Sequence, residues 1–339
     1  MRIVVDAMGS DNCPGPDVAG AVLAAREFGD DIILVGDEKR IQAELAQHDT
    51  AGLPLRIQPA GQTITMTDKP SDILRQKRDS SMHIGLEMVG NGQADAFVTA
   101  GNTGAALAIA MLHAPRRIRG VQRPALGVMI PVANSPLLID NGANTDCKPE
   151  HLLQFAHMGS LYMEHARGIN RPRIGLISNG EEEGKGNELV HAATPLLQTS
   201  GLNYIGNVEP KEFMQGGVDV GVTDGFTGNI LMKTTEAIAK SLLQAVRDEI
   251  MSSTRTKLGG LLAKPAFEKV RARLNPDEIG GAVLLGVNGV VIIAHGRSNA
   301  YAMKQAIGQA RRAVQNDIVN AIKEGLGRDE SAPDTQTVR

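Results

Sequence analysis

Short apolar runs alternate with longer helical patterns along the whole chain, and this alternation limits the possible folds more than any other feature. Strand-like apolar runs occupy residues 32–35, 96–98, 137–139, 174–177 and 290–293. Between and after them, apolar residues recur at helical spacing, most clearly from Leu231 to Ile250 and from Met303 to Ile318. The pattern predicts an α/β fold, a mainly parallel sheet with helices on both faces.

No segment rich in Pro, Ser or Gly separates two halves of the chain, and no fixed repeat is present. We therefore predict a single domain over residues 1–325. Residues 240–275 are expected to protrude as a helical arm, because Gly259, Gly260 and Pro265 interrupt a helical pattern and predict two helical pieces meeting at a bend. Residues 327–339 are polar and aperiodic, which predicts a flexible tail.

Composition narrows the class of ligand. The chain has 38 glycines, 3 Tyr, 6 Phe and no Trp, so backbone contacts to a ligand are favoured over aromatic stacking. A formal net charge of −3 gives no general attraction to nucleic acid. Two cysteines without a CxxC spacing suit free thiols in a reducing cytosol. With no signal-like leader and no long apolar run, we expect a cytoplasmic protein.

Gly-rich polar turns follow several of the predicted strands and precede helical patterns. They cover residues 99–104, 178–180 continuing to 184–187, and 223–229, with a further turn at 6–9. Backbone N–H groups at such turns can bind an anion at the carboxyl edge of a parallel sheet, although each turn alone is equally explained as a helix cap. Together they predict a shared phosphate pocket whose candidate residues are Asp6, Gly9, Asn102, Thr103, Gly104, Ser178, Asn179, Gly180, Asp224, Gly225, Thr227 and Gly228.

Several familiar sites are excluded by spacing. The segment from Gly180 to Gly186 lacks the spacing of a nucleotide P-loop, and no GxGxxG, GxSxG or HExxH motif occurs. No residue is therefore indicated as the nucleophile of a covalent intermediate. If a bound phosphate itself attacked a substrate, it would need no side-chain nucleophile, because it is already anionic. Lys185, between two glycines, is the candidate cation, although a solvated surface lysine is the ordinary alternative. His295 is interpreted as a structural histidine at a strand end, with general acid–base catalysis as the alternative.

Six ordered motifs from about residue 1 to 325 resemble the PlsX family of acyl-acyl-carrier-protein:phosphate acyltransferases. They are Asp-Ala-Met-Gly at 6–9, Arg-Gln-Lys-Arg-Asp-Ser-Ser-Met at 75–82, Ala-Gly-Asn-Thr-Gly-Ala at 100–105, Ser-Asn-Gly-Glu-Glu at 178–182, Thr-Asp-Gly-Phe-Thr-Gly-Asn at 223–229, and Gly-Val-Asn-Gly at 286–289 with Ala-His-Gly at 294–296. The chain departs from the family pattern at Ser10, Val283 and Arg297, which affects local turns rather than the reaction.

The resemblance implies transfer of a fatty acyl group from acyl carrier protein to inorganic phosphate, giving acyl phosphate for phospholipid synthesis. It also implies a homodimer with a fold like phosphotransacetylases and isocitrate or isopropylmalate dehydrogenases, working without metal or cofactor. The family's catalytic lysine and asparagine fall here on Lys185 and Asn229. An acyl-coenzyme A phosphotransacetylase and a non-catalytic lipid-associated scaffold are the alternatives.

The predicted arm is basic with an apolar tip. Positive residues predicted to dock the acidic carrier are Arg255, Lys257, Lys264, Lys269, Arg271 and Arg273, and the apolar residues predicted to contact membrane are Leu258, Leu261 and Leu262. Whether the arm meets the carrier, the membrane or both is left open, as is a purely solvated face. We expect peripheral association with the inner face of the cell membrane and contact with a membrane glycerol-phosphate acyltransferase downstream.

Overall fold

A single mixed sheet of eleven strands organises the molecule, in a computed structural model that describes residues 1–132, 134–273 and 276–329. Its strand order is β3-β2-β1-β4-β11-β10-β5-β6-β9-β7-β8. The strands are β1 Arg2–Asp6, β2 Asp31–Gly36, β3 Leu55–Pro59, β4 Ala96–Thr99, β5 Ala125–Met129, β6 Leu137–Ile139, β7 Ile174–Ile177, β8 Tyr204–Val208, β9 Val220–Val222, β10 Ala282–Leu285 and β11 Val290–Ile293. All five strand-like runs named above are strands, so this prediction is confirmed.

Most neighbouring strands are parallel, and the exceptions lie at the centre of the sheet. β10 is antiparallel to both β11 and β5, and β5 is antiparallel to β6. Because of these reversals, β6, β9, β7 and β8 run opposite to β3, β2, β1, β4 and β11. The predicted mainly parallel α/β fold is confirmed, but the sheet consists of two parallel halves of opposite direction.

The described chain has twelve α-helices, most of which flank the sheet. They are α1 Gly15–Phe28, α2 Glu38–Leu45, α3 Pro70–Gln76, α4 Ser81–Gly90, α5 Thr103–Leu112, α6 Pro149–Arg167, α7 Glu188–Gln198, α8 Pro210–Met214, α9 Gly225–Met251, α10 Thr254–Arg273, α11 Ala300–Gln315 and α12 Ile318–Asp329. Asn or Asp side chains cap several of them, as Asn102 does for α5 and Asn299 for α11.

Apolar residues on both sides of the sheet form separate cores. In β1, Ile3 and Val5 belong to a cluster that also holds residues of α1, α6 and α11, whereas Val4 belongs to the cluster with residues of α4 and α5. A third cluster, around Phe213, packs against the first part of α9. Alternate strand residues point to opposite faces, so helices on both faces are the expected solution for strands that are apolar throughout.

The helical arm differs in detail from the prediction. α9 and α10 are two long helices joined at Ser252 and Ser253, and α10 continues through Gly259, Gly260 and Pro265. The bend therefore lies at the serines and not at the glycine pair. The prediction misplaced the bend because glycine and proline lower helix stability without always ending the helix.

The helical pattern near the end of the chain forms two helices rather than one. Asp317 has φ 50°, and the apolar pattern from Met303 to Ile318 is divided there between α11 and α12. α12 continues to Asp329, and residues 330–339 of the predicted tail lie outside the described residues. Within the part of the chain that the structure describes, no helix is long and apolar enough to cross a membrane.

Candidate active site

The predicted anion-binding loops do not share one edge of the sheet. The loops after β1 and β4 follow strands of one direction, whereas those after β7 and β9 follow strands of the opposite direction. Their carboxyl ends consequently face opposite edges, and the prediction of one common carboxyl edge is wrong. The error arose because the antiparallel strands β10 and β5, which reverse the direction, carry no distinctive sequence pattern.

The first group of loops is built around a buried carboxyl group. Asp6 is 2% exposed and accepts hydrogen bonds from the Met8 N–H (3.1 Å) and the Thr99 hydroxyl (2.8 Å). Burial raises its pKa, and hydrogen bonds from Ser81 and Thr99 oppose the rise. A Cβ at Gly9 would lie 2.9 Å from the Gly101 N, so glycine lets the two loops touch. Asp6 thus ties the turn at 6–9 to the turn at 99–104.

Asn102 has a structural role in the same group. Its Oδ1 accepts from the Ala105 N–H (3.0 Å), and its Nδ2 lies 3.2 Å from the Thr65 O and 3.3 Å from the Met66 O. The side chain is therefore committed to capping α5 and holding the loop at 65–68. The next two residues of the turn, Thr103 and Gly104, are exposed at the start of α5.

The second group contains a loop that the sequence analysis missed, residues 140–144 after β6. Asp140 is fully buried and accepts from the N–H groups of Leu126 (3.1 Å), Gly142 (3.2 Å), Ala143 (2.9 Å) and Asn144 (2.7 Å). Burial raises the pKa of Asp140, and the donors of Ala143 and Asn144 oppose the rise. The signal was available as Asp-Asn-Gly directly after an apolar strand.

This loop packs on the first turn of α9. The Gly225 N–H donates to the Asn144 O at 2.7 Å, and a Cβ at Gly228 would lie 2.0 Å from the Asp140 O. Asp224 caps the helix by accepting from the Thr227 N–H (2.9 Å) and hydroxyl (2.8 Å). Most polar groups of the turn at 223–228 thus bind the protein itself.

Asn229 stands beside the glycine of the missed loop. A Cβ at Gly142, where φ is 140°, would lie 3.2 Å from the Asn229 Nδ2. Phe226 and Ile230, one helical turn apart in α9, are 60% and 51% exposed next to it. The Asn229 amide on α9 therefore borders a glycine whose positive φ disfavours other residues, and it has exposed apolar side chains beside it.

Lys185 lies on the loop after β7, at the same edge as Asn229, because β7 and β9 are parallel neighbours. The turn continues from Gly180 through residues 184–187, and α7 starts directly after it at Glu188. Asn179 braces the loop by accepting from the Gly186 N–H at 2.9 Å, and Ser178 is 9% exposed beneath it. Lys185 is exposed, packs its stem over Gly180, and forms no ion pair with the carboxylates of the described residues.

Neither cysteine is activated. Burial raises the pKa of Cys147 to about 12, and the nearby carboxylates of Asp140 and Asp224 add to the rise. Burial also raises the pKa of Cys13. His295 is half exposed, with its Nε2 3.5 Å from Glu236 of α9, which is a more open setting than the structural histidine expected. No cluster of metal-ligating side chains occurs among the residues that the structure describes.

The arm presents its apolar residues to solvent. Leu258, Leu261 and Leu262 of α10 are 64%, 66% and 80% exposed. Arg255, Lys257, Lys264 and Lys269 are exposed on the same helix, and only Lys264 pairs with a described carboxylate, that of Glu268, at 3.7 Å. The side chains of Arg271 and Arg273 lie outside the described residues.

Several solved structures share the fold of this chain. A phosphotransacetylase from Streptococcus pyogenes covers 93% of this chain and 94% of its own, at 18% identity and a TM-score of 0.58. A branched-chain phosphotransacylase from Enterococcus faecalis gives a TM-score of 0.54 at 14% identity, covering 93% and 100%. A 4-hydroxythreonine-4-phosphate dehydrogenase from Klebsiella pneumoniae gives 0.53 at 13%, covering 93% and 99%. At these identities the likeness establishes the fold alone, and it confirms the predicted phosphotransacetylase-like fold.

Sequence comparison goes further than the fold. Residues 1–321 match the family model described as fatty acid synthesis protein. The phosphate acyltransferase of Geobacter sulfurreducens is 44% identical over 327 residues, covering 96% of this chain and 94% of the relative. That of Pelotomaculum thermopropionicum is 46% identical over 327 residues, covering 96% and 95%. By this match along nearly its whole length, the chain belongs to the PlsX family of phosphate acyltransferases.

Proposed function

We propose that this acyltransferase takes a fatty acyl group from the thioester of acyl carrier protein and transfers it to inorganic phosphate for phospholipid synthesis. Membership in the phosphate acyltransferase family supports acyl transfer to phosphate. The observation that carries the residue roles is the position of Lys185 and Asn229, which follow the adjacent parallel strands β7 and β9 at one sheet edge. A cation and an amide at one edge suit a reaction between an anion and a polarised carbonyl.

The proposed acyl transfer needs no covalent intermediate on the protein. A phosphate oxygen attacks the thioester carbonyl carbon, forming a C–O bond and moving charge onto the carbonyl oxygen. Collapse of this tetrahedral species breaks the C–S bond, and the thiolate leaves and takes a proton from solvent. Lys185 offsets the charge of the phosphate or the oxyanion, and the Asn229 amide positions one of the two by hydrogen bonding.

The states of the cysteines support direct attack. A thiol whose pKa is about 12, as for Cys147, is almost entirely protonated near neutral pH and is a poor nucleophile. Cys13 also has a raised pKa, and it lies on the loop after β1, at the opposite carboxyl edge from Lys185. Phosphate, already anionic, needs no such activation.

For the arm, we propose a role in docking. The leucine cluster, defined as Leu258, Leu261 and Leu262, is exposed among basic side chains, which suits shallow insertion into an anionic membrane surface. The basic side chains of α10, including Arg255 and Lys257, equally suit an acidic carrier protein steered by charge. Peripheral contact with the cell membrane would bring the product to a membrane glycerol-phosphate acyltransferase.

We also propose that the chain acts as a homodimer. Beyond its first turns, α9 carries Ile238 and Leu242, one helical turn apart and 62% and 61% exposed. Two exposed apolar side chains on one face of a long helix are unfavourable in water, and pairing with a second copy would bury them. Sedimentation equilibrium with Ile238→Lys and Leu242→Lys tests this, since a dimeric wild type and a monomeric double variant are expected.

A comparison of donors tests the proposed reaction. Purified protein is given carrier-linked or coenzyme A-linked palmitoyl thioester with phosphate, and acyl phosphate is trapped with hydroxylamine. We expect phosphate-dependent hydroxamate formation, with kcat/KM at least tenfold higher for the carrier donor. Higher efficiency with coenzyme A would replace the proposed donor, and no product with either donor would reject the reaction.

A further inference from the structure

The segment between α5 and β5 concentrates positive charge. No Asp or Glu occurs between Asp95 and Asp140, whereas four arginines occur within eight positions of this stretch. All four side chains are exposed, and we call them the arginine rim: Arg116, Arg117, Arg119 and Arg123. In a chain whose formal net charge is −3, such a cluster is a local reversal of the overall charge.

The rim is not neutralised by the protein. Arg116 donates to the His113 O (3.1 Å) and Arg117 to the Gln122 O (2.6 Å), both backbone carbonyls. None of the four forms an ion pair with a carboxylate of the described residues. The nearby helix start contributes Asp146, Lys148 and Glu150, a sum of −1, so the four positive charges keep an excess of +3.

Hydrogen bonds connect the arginine rim to the candidate active site. The Asn144 Nδ2 donates to the Pro124 O at 2.8 Å, directly after Arg123. Asn144 in turn accepts from Gly225 at the start of α9, four residues before Asn229. The charge of Arg123 also acts on the first turn of α6: burial lowers the pKa of His151, and Arg123 adds to the lowering.

The rim is held in shape from two sides. Gln154 of α6 donates to the Gly120 O (2.9 Å) and accepts from the Gln122 N–H (2.8 Å). On the other side, Asn288 donates from its N–H to the Arg116 O (2.8 Å) and from its Nδ2 to the Arg117 O (2.9 Å). A loop fixed in this way loses little backbone freedom when a partner binds.

We propose that the arginine rim is the surface on which the acidic donor protein docks when its thioester reaches the active site, an inference that rests on the proposed function. Four exposed guanidinium groups along one loop match carboxylates spread over a protein surface, in bidentate pairs. All four are exposed on the surface rather than buried in a cavity. This assignment gives the carrier a contact beside Asn229, distinct from the arm.

The test uses the full-length double variant Arg119→Glu with Arg123→Glu. We expect the KM for the carrier-linked donor to rise at least tenfold at low salt with kcat little changed, and the effect to shrink at high salt, where charges are screened. Turnover with an uncharged palmitoyl thioester of N-acetylcysteamine should not change. Arg167→Glu with Arg171→Glu is the matched control. Arg167 ends α6 and Arg171 precedes the amino end of β7, both are exposed, and their replacement is expected to leave both donors unaffected.

An unchanged KM for the carrier donor would overturn the proposal. Equal losses with the uncharged thioester would also overturn it, because they would place the rim in the chemistry rather than in docking. If the wild type consumed no thioester at all, the proposed function would fail separately. Direct binding of purified carrier, measured by fluorescence anisotropy, would still report on the rim: tight wild-type binding lost in the rim variant supports docking, and equal binding refutes it.

Discussion

Replacing Lys185 by Met removes one charge while keeping most of the side chain's aliphatic stem. In the structure this stem packs over Gly180, and the ammonium group forms no ion pair with the described carboxylates. The residue is exposed, so the substitution opens no cavity and leaves no buried group unpaired. We therefore expect the free energy of unfolding to change by less than about 0.5 kcal/mol.

The effect on rate should be far larger. Loss of one preorganised contact to developing charge typically costs about 100-fold in kcat, equivalent to about 2.7 kcal/mol of transition-state stabilisation. The expected loss of transition-state stabilisation is thus about five times the largest expected change in the free energy of unfolding. A solvated surface lysine would show neither effect, whereas a catalytic lysine shows the first without the second. The exposed Lys211 of α8, changed to Met, serves as the matched control and should keep full activity.

Two measurements on the same preparation decide the role of Lys185. Urea unfolding gives the stability of each variant, and phosphate-dependent thioester loss gives kcat. A Lys185→Met protein that unfolds like the wild type but turns over within threefold of it would refute the assignment. A large loss of stability would contradict the expectation that this exposed side chain contributes little to the fold.

Three further predictions concern the site loops, pH and the arm. Gly228→Ala should destabilise the protein by about 1–3 kcal/mol in urea unfolding, because its Cβ would lie 2.0 Å from the Asp140 O; an unchanged midpoint would contradict that contact. Burial raises the pKa of Asp17 from 3.8 to about 8, so the folded protein keeps this carboxyl protonated at pH values where the unfolded chain ionises it. The free energy of unfolding should therefore fall as the pH rises from 4 towards 8, by up to about 1.4 kcal/mol per pH unit. Asp17→Asn should therefore flatten the fall in stability between pH 5.5 and 7.5, and parallel curves would reject the shift. Changing the leucine cluster to Gln should release the enzyme from anionic liposomes in flotation assays with turnover retained, since each buried leucine contributes about 1.5–3 kcal/mol; undiminished flotation would argue against insertion.

The fold was largely predictable because its strands are short, continuous apolar runs buried on both faces. Strands buried on both faces need apolar residues at every position, as the fully buried Val4 and Val291 illustrate, and such continuous runs can be recognised in the sequence. The reversal of direction at β10 and β5 was not predictable, since a strand reads the same in either orientation. The bend of the arm was also misplaced, because Ser252 and Ser253 are weaker signals than Gly259 and Pro265.

For the candidate site, sequence reasoning located the loops better than it located their roles. Asn102 and Asp224 were predicted as phosphate-binding residues, yet their side chains cap α5 and α9. Asp140 was missed, although it organises the loop against Asn229 through four backbone donors. Such roles depend on which loops pack together, and this follows from the tertiary fold rather than from local spacing.

The central claim, direct attack by phosphate without an acyl-enzyme, can be tested by intact-protein mass spectrometry. The enzyme is mixed with excess palmitoyl thioester of the carrier in phosphate-free buffer, sampled, and then given phosphate. Direct attack predicts no mass increase on the enzyme and no thiol release before phosphate is added, followed by release of thiol and acyl phosphate in equal amounts. An enzyme species heavier by one palmitoyl group that forms without phosphate and is discharged by it would instead establish an acyl-enzyme.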